Sequence, residues 1–122
     1  NMLPTTTRKV AVYGGSFDPP TCAHLSVIAS VLHADAADEV WVVPCGRRVD
    51  KATLIASPSQ RLIMCHIAVD SFFGRTAPVK VLDVDVAHGG PAMPTLQLAR
   101  TLRRRRRCRE KSKTQQEEEE EE

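Results

Sequence analysis

The stretch Gly14-Gly15-Ser16-Phe17-Asp18-Pro19-Pro20-Thr21-Cys22-Ala23-His24 constrains this chain more than any other part of it. It follows a short apolar run, Val10 to Tyr13. It precedes an amphipathic run in which Leu25, Ile28, Val31 and Leu32 recur at helical spacing. A glycine-rich turn between a strand and a helix is where α/β proteins hold phosphate groups, because the helix's first N–H groups and its dipole favour an anion. Gly14 and Gly15 let the backbone come close to a ligand and offer positive φ at little cost. Thr21 and His24 are three residues apart at the start of the helix, on one face. A hydroxyl, an imidazole and free backbone N–H groups are thereby expected to converge on one anion.

The rest of the chain repeats the alternation. Residues 8–14 predict strand 1 and residues 22–34 helix 1. Residues 39–45, Glu-Val-Trp-Val-Val-Pro-Cys, form a continuous apolar run suited to a parallel strand buried on both faces. A basic loop follows, Gly46-Arg47-Arg48-Val49-Asp50-Lys51. Ser57-Pro58-Ser59 then signals the start of helix 2, with Pro58 at its first position, and this helix is expected to reach about Phe73. Residues 79–84 predict strand 3. The stretch Ala87 to Pro94 holds two glycines and two prolines and reads as a loop, with helix 3 starting near Thr95 and running into the arginines. The order β-α-β-α-β-α implies a parallel sheet with right-handed crossovers, an α/β fold of Rossmann-like type.

At 122 residues the chain has room for one domain. Residues 1–99 carry eight basic and eight acidic side chains, so the net +2 is not a nucleic-acid footprint. The four cysteines, Cys22, Cys45, Cys65 and Cys108, contain no CxxC pair. They read as reduced, mostly buried thiols of an intracellular protein, cytoplasmic or nuclear, rather than a zinc or redox site. No apolar run is long enough to span a membrane, and Asn1 to Thr7 lacks the apolar core of a signal peptide. Five consecutive arginines, Arg103 to Arg107, and six consecutive glutamates, Glu117 to Glu122, are self-repelling blocks. Residues 1–7 and 108–122 are accordingly expected to be disordered, leaving residues 8–107 as the domain.

The eleven-residue stretch from Gly14 to His24 resembles the signature of the nucleotidylyltransferase superfamily, a Gly-Ser/Thr-Phe-Asp/Asn-Pro loop followed by His/Thr-x-Gly-His. Thr21 stands at the first position of the second element, Ala23 replaces its usual glycine, and His24 fills its last position. The segment from Val43-Pro44 to Lys51 is similar to the family's Val-Pro segment ending in lysine. Arg61 with Met64 is similar to its Arg-x-x-Met. Within the superfamily the chain looks most like nicotinamide or nicotinate mononucleotide adenylyltransferases. The resemblance implies a reaction of ATP with the mononucleotide, giving NAD or its deamido form and pyrophosphate. It implies His24 and Thr21 as catalytic residues and Gly14, Gly15, Ser16, Phe17 and Lys51 as phosphate-binding residues. Thr95 would contact substrate, and Mg2+ would be carried mainly by the ATP phosphates with no protein metal site. The second family signature, resembling Ile-Ser-Ser-Thr-x-x-Arg, has no counterpart here. The resemblance thus covers about residues 8–102 and implies a sheet truncated to about three strands, with strand 1 an open edge that makes self-association an expectation.

Several residues carry a second reading. Thr21 is equally placed to be a helix N-cap. Lys51 suits a solvated loop, and Asp18 suits a loop-shaping role more than a chemical one. Arg61 is expected to pair with an acid such as Asp18 or Asp83. Trp41 reads as core rather than base-stacking, His66 as partly buried on helix 2, and His33 as a helix-end histidine near the negative end of the dipole. His88 lies in the loop that holds the pyridine ring in similar proteins. The alternatives to the adenylyltransferase reading are a pantetheine-phosphate adenylyltransferase or a cytidylyltransferase. A further one is a catalytically incomplete remnant that binds a nucleotide or a partner through the open sheet edge.

Overall fold

The computed structural model describes residues 8–47, 54–89 and 91–121, without the side chains of residues 95 and 96. These group into two compact units, Asn1–Ala92 and Met93–Glu122. The first unit is an α/β layer. Strands β1 (Val10–Gly15), β2 (Glu39–Pro44) and β3 (Val79–Val81) form a parallel sheet in the order β1-β2-β3. Val10 pairs with Glu39 and Gly15 with Pro44 at the two ends of the β1–β2 register, and Val40 and Val42 sit opposite Val79 and Val81. All six residues of β2 are buried, which explains its unbroken apolar run. Among the described residues β1 has one neighbour and is an edge, as the resemblance implied; its Val12, in register with Trp41, remains about half exposed.

Helices α1 (Cys22–His33) and α2 (Pro58–Phe73) connect the strands. Ile28 of α1 and Cys65 and Val69 of α2 join Val40, Val42 and Val79 of the sheet in one buried cluster, which also takes in Phe17 from the β1–α1 loop. The start of α2 is written in its sequence. Gln60 N–H donates to Ser57 Oγ and Ser57 N–H to Gln60 Oε1, while Pro58 occupies the first turn, where no N–H is needed. Trp41 is core, as expected. At the opposite end of the sheet from the glycine loop, the buried Glu39 is held by Lys80 at 2.9 Å and Arg8 at 3.2 Å.

Three expectations are corrected here. β3 stops at Val81, and Val84–Ala87 form a short helix, α3, because Val84 and Asp85 are buried rather than continuing an extended edge. His66 is exposed, since it falls on the solvent side of α2 away from Cys65 and Val69. In the second unit, helix α4 runs from Thr95 to Glu121, through the stretch expected to be disordered. Arg, Lys, Gln and Glu are strong helix formers, and an i,i+4 pair, Arg106–Glu110 at 3.1 Å, joins residues on either side of Cys108. Residues 1–7, also expected to be disordered, lie outside the described residues.

Candidate active site

The C-terminal ends of β1 and β2 carry the loops from which the site is built. Beyond Gly15 the chain turns at Phe17, whose φ is +51°. The positive φ expected of Gly14 or Gly15 thus falls on Phe17, and the glycines serve another purpose. A Cβ on Gly15 would lie 3.3 Å from two atoms of the Phe17 ring, so Gly15 makes room for that ring. The ring is buried and stands edge-on to Tyr13 and His24, with centroid separations of 5.3 and 4.9 Å. Around it, the N–H groups of Ser16, Phe17 and Asp18 find no acceptor among the described residues.

Thr21 is the N-cap of α1. Its backbone N–H donates to His24 Nδ1 at 2.8 Å, and its hydroxyl lies 3.1 Å from the same nitrogen. The imidazole therefore takes the part that Glu or Gln plays in a capping box. With Nδ1 accepting, the neutral ring carries its proton on Nε2, which has no partner among the described residues. The expected convergence is refined: the imidazole presents its far nitrogen, whereas the Thr21 hydroxyl turns back toward the ring.

Behind the loop lies a set of braces. Asp18 accepts from the N–H groups of Ile55 at 2.7 Å and Ala56 at 3.1 Å, the loop-shaping part expected of it. Arg61 is 1% exposed and pairs with no acid among the described residues, in contrast to the expected bond to Asp18 or Asp83. Its guanidinium donates to the carbonyls of Ser16 at 2.8 Å, Gly46 at 3.0 Å and Ala56 at 3.4 Å, and contacts Cys45 Sγ at 3.4 Å. Asp18 is committed to backbone donors, and Asp83 is exposed at the start of α3. Asp85, 2% exposed, accepts from Gly46 N–H at 2.9 Å. Asp85 and Tyr13 were not singled out from the sequence; the one available signal was an acid set between Val84 and Val86.

Of the cysteines, Cys45 and Cys65 are buried while Cys22 and Cys108 are exposed, so only half fit the buried reading. Burial pushes the Cys65 thiol up to about 11, against the opposing charge of Arg61. Lys51 lies outside the described residues, as does the side chain of Thr95, which opens α4. His88 is exposed just after α3, and His33 sits in the last turn of α1 as expected. Among the described residues no three His, Cys, Asp or Glu side chains gather as metal ligands, and no helix is long and apolar enough to cross a membrane.

A parallel sheet with unpaired N–H groups and a histidine-capped helix at the end of its first strand defines a nucleotide-binding α/β class. The Cytidylyltransferase-like family model matches residues 12–83, and the chain belongs to that family. Similar curated proteins include probable nicotinate-nucleotide adenylyltransferases. That of a Nitratiruptor species is 34% identical over 75% of this chain and 51% of its own length. That of Halalkalibacterium halodurans is 31% identical over 80% of this chain and 45% of its own length. Among solved structures, Plasmodium falciparum nicotinic acid mononucleotide adenylyltransferase complexed with NaAD superposes with a TM-score of 0.68 at 27% identity, over 80% of this chain and 46% of that one. The same enzyme complexed with APC gives 0.62 at 25% identity. The chain spans about half the length, or less, of the curated relatives it matches.

Proposed function

We propose that this chain carries the phosphate-handling part of an adenylyltransferase that joins ATP to nicotinate or nicotinamide mononucleotide, releasing pyrophosphate. The observation that supports this most is the bond from Thr21 N–H to His24 Nδ1, which leaves an Nε2–H donor on a ring packed 4.9 Å from that of Phe17, in the loop whose Ser16, Phe17 and Asp18 N–H groups have no acceptor among the described residues. In this reaction a phosphate oxygen of the mononucleotide attacks the α-phosphorus of ATP in line, and the bond to the bridging oxygen of pyrophosphate breaks. No proton need leave the nucleophile, so the protein's work is alignment and stabilisation of charge on the α-phosphate.

His24 Nε2–H donates to that charge, and the loop N–H groups hold the phosphates. Gly14 and Gly15 keep the approach free of side chains. Lys51 and Thr95 complete the proposal as a phosphate contact and a substrate contact. Mg2+ suits the substrate better than the chain: both oxygens of Asp18 and one of Asp85 are engaged by backbone N–H groups. Mg2+ arriving on ATP would neutralise phosphate charge. The nicotinate substrate is favoured by the names of the similar proteins above.

The test is product formation by the purified chain with ATP, Mg2+ and either mononucleotide, with His24→Ala alongside. A dinucleotide that disappears in the variant supports the reading and identifies the preferred mononucleotide. Saturable ATP binding without turnover restricts this chain to the nucleotide-holding share of the activity. The absence of both binding and turnover overturns the proposal.

A further inference from the structure

The geometry points to Arg61 as a positioning residue for the phosphate site, an inference that rests on the adenylyltransferase reading above. One guanidinium, 1% exposed, grips the Ser16 carbonyl at 2.8 Å and the Gly46 carbonyl at 3.0 Å. These carbonyls belong to the two loops that leave the sheet at adjacent strand ends, after β1 and β2. A peptide group is planar, and in its trans form the C=O and the following N–H point in opposite directions. The only cis bond among the described residues is Asp18–Pro19, so the Ser16–Phe17 and Gly46–Arg47 peptides are trans. Drawing both carbonyls inward onto Arg61 therefore turns the N–H groups of Phe17 and Arg47 away from it. The Phe17 N–H has no acceptor among the described residues, whereas Arg47 is paired with Pro91 in an isolated parallel bridge, its carbonyl accepting from Ala92 N–H at 2.8 Å.

The same peptide is gripped from its other side, since Asp85 holds Gly46 N–H at 2.9 Å. The partners of the Arg61 guanidinium are three carbonyls and the Cys45 sulfur. A planar fork with five donors suits this task, whereas a lysine ammonium cannot span the same set of carbonyls. The positive φ of Phe17 is the backbone consequence of a peptide held in this orientation. Arg61 thus acts through the loop and not by touching substrate.

Arg61→Lys in the full chain, labelled with 15N, provides the test, with Val69→Ala as the control. Val69 is buried on the same helix and contributes to the core without bonding either loop. Both variants are expected to lower the melting temperature. At a temperature where both are fully folded, Arg61→Lys is expected to move the Phe17 and Arg47 amide signals and to weaken ATP binding about tenfold or more. Val69→Ala is expected to leave both unchanged. Wild-type affinity and unmoved amide signals in folded Arg61→Lys overturn the inference, as does an equal loss in Val69→Ala, which would mark the effect as general destabilisation. If the wild-type chain binds no ATP, the adenylyltransferase reading fails, and the amide signals of the free protein alone decide whether Arg61 orients the loop peptides.

Discussion

The backbone N–H of Thr21 donates to His24 Nδ1 at 2.8 Å, and this one bond decides which ring nitrogen keeps the proton. It also ties the catalytic role proposed for His24 to a structural one, because the donor is the N-cap residue of α1. The two roles separate by substitution. An asparagine at position 24 places a carbonyl oxygen near the site of Nδ1 but has nothing at Nε2. His24→Asn is expected to keep the melting temperature near that of the parent while the transfer rate falls by about 10²–10³, the usual consequence of losing one transition-state donor. His24→Ala is expected to lose both the rate and the cap. A His24→Asn variant with a rate near the parent's would remove His24 from the chemistry.

The two glycines of the loop allow a second separation. Ala at Gly15 would meet the Phe17 ring at 3.3 Å, and that ring cannot retreat because Tyr13 and His24 flank it. Overpacking of this kind costs about 1–3 kcal/mol. Gly15→Ala is expected to lower stability by that order and to disturb ATP binding through His24. A Cβ on Gly14 meets nothing within 4 Å. Gly14→Ala is therefore expected to fold at least as well as the parent, yet to weaken ATP binding where a phosphate passes over that strand end. Thermal melts and ATP titrations of the two variants check both parts, and unchanged affinity in Gly14→Ala would place the phosphates elsewhere.

The contrast between these glycines shows what the sequence could and could not reveal. The elements were legible because each has a local cause: the β2 run is apolar throughout, α2 begins at a Ser-Pro with Gln60 three residues on, and α1 follows its threonine cap. Tertiary contacts were not legible. That Phe17 would take the positive φ depends on its ring filling a space between Tyr13 and His24, and no spacing rule encodes that. An arginine in an amphipathic helix predicts an acidic partner. Arg61 instead found carbonyls, because the ends of two loops converge on it only after the sheet has formed. Charge runs mislead in the other direction: the like-charge blocks around Cys108 suggested disorder, but their residue types also favour the helix that α4 adopts.

Burial of Cys65 makes its titration a probe of folding. Its thiol is raised from the ordinary 9.0 to about 11 in the folded chain. Between these values the unfolded chain has released a proton that the folded chain still holds, so stability falls as pH rises. The associated stability is fully present below pH 9 and is lost as pH approaches 11, roughly 2–3 kcal/mol for a shift of this size. Denaturant melts across that range are expected to show the decline, and Cys65→Ala to flatten it. The same burial predicts that a thiol reagent at pH 8 modifies Cys22 and Cys108 in the native chain but Cys45 and Cys65 only after unfolding.

Glu39 gives the opposite sign at the other end of the sheet. Burial alone would raise its carboxyl, but the ion pairs with Lys80 and Arg8 outweigh that and hold it below the ordinary 4.5. The folded chain therefore keeps the carboxylate when the unfolded chain has already taken up a proton. Its contribution is present above pH 4.5 and is lost as pH falls through the depressed value. Melts from pH 6 downward are expected to show acid destabilisation that Glu39→Gln reduces in slope, while lowering stability at neutral pH because Lys80 and Arg8 lose their partner. Glu39 faces neither glycine loop, since it lies at the N-terminal end of β2 and opposite Val10. ATP binding by folded Glu39→Gln is thus expected to match the parent, and a loss there would show that the two ends of the sheet are coupled.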